Sequence, residues 1–178
     1  SLRSNPYALD SVHLSITTFD SEIKLVLPMT PVADVMLPEI TCPKSGATLL
    51  GAALEHICEQ VQRDIHKSSA TEKGDWKPIL VILTDGKPTD TLAYTEVIPR
   101  LLGCGCAKIV ACAAGSKADP SQLKRLTDAV VSLDTMDATS FSKFFEWVSA
   151  TFSKDSQSRG ATSSPELPPP PPELNIVL

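Results

Sequence analysis

Asp85 ends the apolar run "KPILVILTDG" on a carboxylate followed by a glycine. Two roles suit an acid in that place. α/β proteins gather their sites at the C-terminal edge of a parallel sheet, and there the carboxylate can hold a metal ion. Alternatively it ends the strand, opens an ordinary turn and caps the next helix. As the nucleophile of a Mg2+-dependent phosphohydrolase, Asp85 would need a second acid two residues on to pass a proton to the leaving group, and that position is Lys87. Lys87 itself reads as a solvated cation or as an attractor of an acidic partner. Thr48, in "SGATLLGAAL", places a hydroxyl just ahead of a helical run, the ordinary station of an N-cap. Gly86 offers a turn with positive φ. Asp20 and Asp90 stand near strand or helix ends, where either carboxylate could support a metal-bound water. His13, His56 and His66 are scattered over strand, helix and loop and suggest no shared site. No Ser-His-Asp set, nucleophile elbow or glycine-rich phosphate loop occurs, so no catalytic residue is assigned and the chain is not read as an enzyme.

The elements that must position these groups follow from periodicity. "VHLSITTFD" (12–20) and "EIKLVLPMT" (22–30) alternate apolar with polar residues and are separated only around Asp20-Ser21, which predicts a hairpin. From Leu50 to about Asp64, Leu50, Leu54, Ile57, Cys58, Val61 and Ile65 recur at helical spacing. "KPILVILTD" and "CAKIVACAA" are near-continuous apolar strands, as expected where helices cover both faces of a sheet, and Gly115 ends the second. Between them "TDTLAYTEVIPRLLG" is helical, with Thr89 or Asp90 as cap and Pro99 disturbing its second half. Asp119-Pro120 opens a further helix, "AVVSLD" is a short strand, and "SFSKFFEWVSATF" sets Phe141, Phe144, Phe145, Val148 and Phe152 on one core-facing stripe beside Trp147. Alternating helix and strand predicts a doubly wound, mostly parallel sheet with helices on both faces and one antiparallel edge strand from the hairpin.

The 178 residues, 42% apolar and 21% charged, suit one globular domain, and a net charge of −5 gives no reason to expect a nucleic-acid partner. No run approaches the roughly 20 apolar residues of a membrane span. The five cysteines lie mostly in apolar runs, which favours buried reduced thiols and a cytoplasmic setting. "CGC" with Cys112 fits none of the usual zinc spacings, and C-x-C is not the C-x-x-C redox motif. The folded domain is assigned to residues 1–153. Residues 154–178 are polar, then proline-rich. "PPPPP" favours a polyproline helix, as a spacer or as a ligand for an aromatic groove, and "ELNIVL" could add to a sheet edge; composition favours a solvated, flexible tail.

Taken together, "KSGATLLGAAL", "LVILTDG" and "ITTFDSEIKLV" resemble a von Willebrand factor A (vWA) domain. "NPYALDSVHLSITTFD", "EKGDWKPILVILTDGKPTD" and "LDTMDATSFSKFFEWVS" are similar to its bacterial tellurium-resistance branch, the TerY-like proteins, over roughly residues 3 to 153. The resemblance implies a metal-ion-dependent adhesion site (MIDAS) in which Thr48 and Asp85 hold Mg2+, or Mn2+ or Ca2+, with Asp85 acting through water. It further implies a cation that takes a carboxylate from a partner, and partners that are phosphatase- or kinase-like in a tellurite or stress-response complex. The family's Asp-x-Ser-x-Ser loop has no counterpart here; Asp119 in "DPSQL" comes nearest and lacks the second hydroxyl. In the family that loop ends a first strand lying mid-sheet, between the strands here numbered 12–20 and 79–84. The expectation is therefore a gap in the sheet, to be filled by residues upstream of Ser1 or by another chain. Cation binding is then expected to be weak or absent in these residues alone, and a degenerate A domain binding partners without metal is a further alternative.

Overall fold

The computed structural model describes residues 3, 6–41, 46–115, 117–135, 137–155, 168–171 and 174–177, with only the backbone described for Tyr7, 151–155 and Ile176. The elements run in order: α1 (Pro6–Ser11), β1 (His13–Phe19), β2 (Ile23–Pro31), α2 (Leu50–Asp64), β3 (Ile79–Thr84), α3 (Thr91–Gly103), β4 (Lys108–Ala114), α4 (Pro120–Leu123), β5 (Val130–Leu133), α5 (Ala138–Asp155) and β6 (Asn175–Ile176). β3, β4 and β5 pair in parallel, from Ile79↔Lys108 to Thr84↔Ala113 and from Ala111↔Val130 to Ala114↔Leu133. Alternate residues of β4 then face opposite ways. Ala111 and Ala113 join Leu54, Cys58, Val97 and Leu101 of α2 and α3, whereas Val110 and Cys112 join Phe144 and Val148 of α5. Helices thus cover both faces, which is why these strands read as unbroken apolar runs.

The strands do not form one continuous sheet. β1 and β2 form an antiparallel hairpin of their own, and the remaining strands form a separate sheet in the order β3-β4-β5-β6. The hairpin is held instead through α2, where Gln60 Nε2 donates to Ser15 Oγ over 2.7 Å and Leu49 N–H donates to the Asp20 carbonyl over 3.1 Å. The seam carries the mark of the missing ladder. Every residue of β4 after Lys108 is buried, yet Ile79, Leu80, Val81 and Leu83 of the equally apolar β3 are only half-buried. Thr17 Oγ1, His56 Nε2 and Gln60 Oε1 are buried without a hydrogen-bond partner among the described residues. A buried group in that state costs about 1–3 kcal/mol.

Three local expectations are corrected. α3 runs through Pro99 to Gly103, because the proline lies on the exposed side of the helix. On α5 the apolar stripe among the described side chains is Phe141, Phe144, Trp147 and Val148, whereas Phe145 is 49% exposed and the side chain of Phe152 lies outside those described. At about 100° per residue, 145 and 147 lie equally far, about 80°, on opposite sides of the midpoint between 144 and 148, and the fold buries the side that carries 147. The tail, expected to be solvated, places Leu174 in the core and β6 antiparallel on β5.

α2 and α3 cross in close contact. A Cβ on Gly51 would lie 2.3 Å from the Tyr94 amide nitrogen, a backbone atom that cannot swing aside. Gly51→Ala is therefore expected to cost roughly 2 kcal/mol or more in urea denaturation. Gly103→Ala, where nothing lies within 4 Å, is expected to be neutral or to gain up to about 1 kcal/mol.

Cys58, Cys104, Cys106 and Cys112 are free thiols. Burial pushes Cys58 up to about 11, and Cys106 and Cys112 up to about 12. These raised values favour the protonated folded state, so their contribution is whole below the ordinary thiol value of 9.0 and is lost as pH rises towards 11–12. Stability is expected to fall between those limits, measured as urea midpoints against pH, with a flatter profile in Cys112→Ala.

Candidate functional site

The segment 46–49 gathers the C-terminal ends of β1 and β3 at one rim. Thr48 N–H donates to Thr89 Oγ1 over 3.0 Å, and Thr89 N–H returns a bond of 3.0 Å to the Thr48 carbonyl. Leu49 ties the same segment to Asp20 at the end of β1. Both strands therefore end against one short stretch of chain that also starts α2.

Capping at this rim departs from expectation. Leu49, without a side-chain bond, occupies the N-cap position of α2, so Thr48 does not cap it. The carboxylate of Asp90 does so from the other loop, accepting from Gly51 N–H over 3.2 Å and from Ala52 N–H over 2.9 Å. Asp90 stands at the N-cap position of α3 but makes no side-chain bond to that helix. The Thr48 hydroxyl is released from capping and faces Gly86, 2.9 Å from where a Cβ on Gly86 would sit. Gly86 is thus needed for close approach. Positive φ among the described glycines belongs to Gly105 and Gly115, so the expected left-handed turn at Gly86 is corrected. Thr84 Oγ1 shapes the turn, accepting from Gly86 N–H at 3.3 Å.

Asp85 is exposed at this turn, one residue from the contact with Thr48. Neither its carboxylate nor the Thr48 hydroxyl has a hydrogen-bond partner among the described residues, which leaves two oxygen donors on one rim. Asp20 spends its side chain elsewhere. Its Oδ1 accepts from Glu22 N–H over 2.8 Å and from Ser21 Oγ, and the Glu22 amide above all holds the carboxyl below the usual range. Lys87 pairs with Asp119 at 3.3 Å instead of standing free. Asp119 caps α4, as its sequence predicts, through Ser121 N–H and Ser121 Oγ, and these bonds, with Lys87 behind them, hold its carboxyl low. A cleft of about 190 Å³ lies between Lys87, Thr91, Tyr94 and Arg125.

Among the described residues no three His, Cys, Asp or Glu side chains are grouped so as to hold a metal. Thr48 and Asp85 by themselves would supply two oxygen donors. Mg2+, which keeps several of its waters and takes one or two carboxylates, is the cation such a pair would fit. His66 is engaged with Asp75 at 3.0 Å, and His56 lies at the α2 seam. Thr89 was legible only as a cap for α3. Its bond to Thr48, 41 residues away, has no local signature in the sequence.

No family model matches the chain, and no curated protein matches it. Among solved structures, proximal thread matrix protein 1 from the mussel byssus is similar, with a TM-score of 0.55 and 16% identity. The likeness covers 84% of this chain and 38% of that one, so the chain spans well under half of its length. That protein contains von Willebrand factor A domains, and the match shows a vWA-like fold here. It gives no support to the TerY-like branch in particular. Among the described residues no helix is long and apolar enough to cross a membrane.

Asp90→Ala is expected to cost about 1 kcal/mol through loss of the α2 cap. Amide exchange should quicken at Gly51 and Ala52 before the rest of α2, and Asp90→Asn should retain part of the protection.

Proposed function

We propose that the chain is a protein-interaction module that docks partners at the rim of residues 46–49 and 84–90, where Thr48 and Asp85 hold a divalent cation. The observation that carries this reading is the release of the Thr48 hydroxyl from capping and its placement against Gly86, beside an exposed Asp85. A bound Mg2+, Mn2+ or Ca2+ would supply an electrophilic position for an acidic side chain of the partner. The chain's own residues fix the loops around it: Thr89 clamps Thr48, and Asp90 holds the start of α2. The setting we propose, a cytoplasmic tellurite or stress-response complex with phosphatase- or kinase-like partners, rests on the sequence resemblance alone.

No catalytic residue is assigned. In the phosphohydrolase alternative the place of the second acid is held by Lys87, which is paired with Asp119, and this pairing supports binding over hydrolysis. Docking without metal is favoured by a separate observation, that among the described residues only two oxygen donors at the rim are not already hydrogen-bonded. Calorimetric titration of the full chain with MgCl2 and MnCl2 tests the reading. One weak site is expected, of the order of 10⁻³ M, and Asp85→Asn and Thr48→Val should each weaken it about tenfold or more without altering the circular dichroism. Equal affinity in both variants, or no heat of binding in any chain, would leave a metal-free docking surface. Asp85-dependent turnover of a small phosphate ester would overturn the binding reading.

A further inference from the structure

At the other side of the sheet, β5 is an outer strand with an edge to cover. The last residues of the chain cover it. β6 pairs antiparallel with β5 through Val131↔Ile176 and Ser132↔Asn175, and Val177 N–H extends the ladder to the Val130 carbonyl at 3.0 Å. Leu174, 4% exposed, inserts beside Phe144, Trp147 and Val148. Asn175 Nδ2 donates to Asp134 Oδ2 over 3.1 Å. Ahead of β6, the indole N–H of Trp147 donates to the carbonyl of Pro168 over 2.8 Å.

Two recognition modes are joined here. A proline run is already extended before it docks, and its carbonyls face outward for donors such as an indole N–H. A strand added to a sheet edge gains backbone bonds whatever its connection to the sheet, so the same segment could arrive from the same chain or from outside. The seating is held at its two ends. Pro168–Pro170 line a cleft of about 210 Å³ whose other walls include Val130 and Trp147. A segment anchored at both ends over a hollow middle is suited to exchange.

We propose that the β5 edge and Trp147 form a recognition groove for a proline-led strand, with this chain's own residues 168–171 and 174–177 as its resident ligand in cis. The groove selects an indole-bonded proline carbonyl, a leucine four residues past Pro170, and an asparagine facing Asp134. The tail's seating closes the edge to other strands, which otherwise invites association. The site lies apart from the rim and does not depend on any cation there.

The test uses the full chain and a fluorescent synthetic peptide of residues 166–178. Wild type is expected to bind it at least tenfold more weakly than Leu174→Glu or Val177→Pro, which loosen the tail from opposite ends of its anchor. Val177→Pro leaves the core leucine in place and serves if the first variant does not fold. Adding Trp147→Phe to either variant should weaken peptide binding about tenfold, since an aromatic ring is kept while the indole N–H is lost together with part of the ring volume. Equal binding by wild type and a folded tail variant would overturn the proposal. So would failure of every folded variant to bind, or a wild-type dimer by light scattering that exchanges its tails.

Discussion

Thr48 and Thr89 exchange two backbone-centred hydrogen bonds, and this small clamp carries a disproportionate share of the fold. Two sheets that share no ladder must be kept in register by something else. The clamp joins the loop that leads from β3 into α3 to the start of α2, and Leu49 joins the same stretch to the end of β1. Further down, Gln60 fastens α2 to Ser15. The hairpin is therefore attached through a helix and a loop instead of through neighbouring strands. Such an attachment leaves β3 half-buried and strands buried polar atoms along the seam.

The same clamp decides what the rim has to offer. A threonine ahead of a helix normally spends its hydroxyl on the first turn. Here Asp90 reaches across and takes over both Gly51 and Ala52. One carboxylate thus satisfies two backbone donors, and a hydroxyl is left beside the turn that presents Asp85. The proposed cation site is a by-product of how α2 is capped. Gly86 permits it by having no side chain to meet Thr48.

Most elements were legible because their signals are local. The helical spacing from Leu50 predicts α2 to its observed bounds, Asp119-Pro120 predicts the cap of α4, and the apolar runs predict β3 and β4. The hairpin and β3 stand in separate sheets, and the expectation of a gap there came from the sequence resemblance. What sequence could not carry were contacts between distant segments. Asp90 looks like a cap for its own helix and caps another. Gly86 looks like a turn glycine and serves close approach. Trp147 looks like a neighbour of the apolar stripe, and only the carbonyl of Pro168, 21 residues on, explains why it is buried in place of Phe145.

The most direct test of the central claim is where a paramagnetic cation sits. With the full chain labelled by ¹⁵N, Mn2+ at substoichiometric levels should broaden the amides of Thr48, Leu49, Asp85 and Gly86 first. Asp85→Asn should remove that effect while the rest of the spectrum stays in place. Broadening confined to other carboxylates, or left unchanged at the rim by the substitution, would contradict the account.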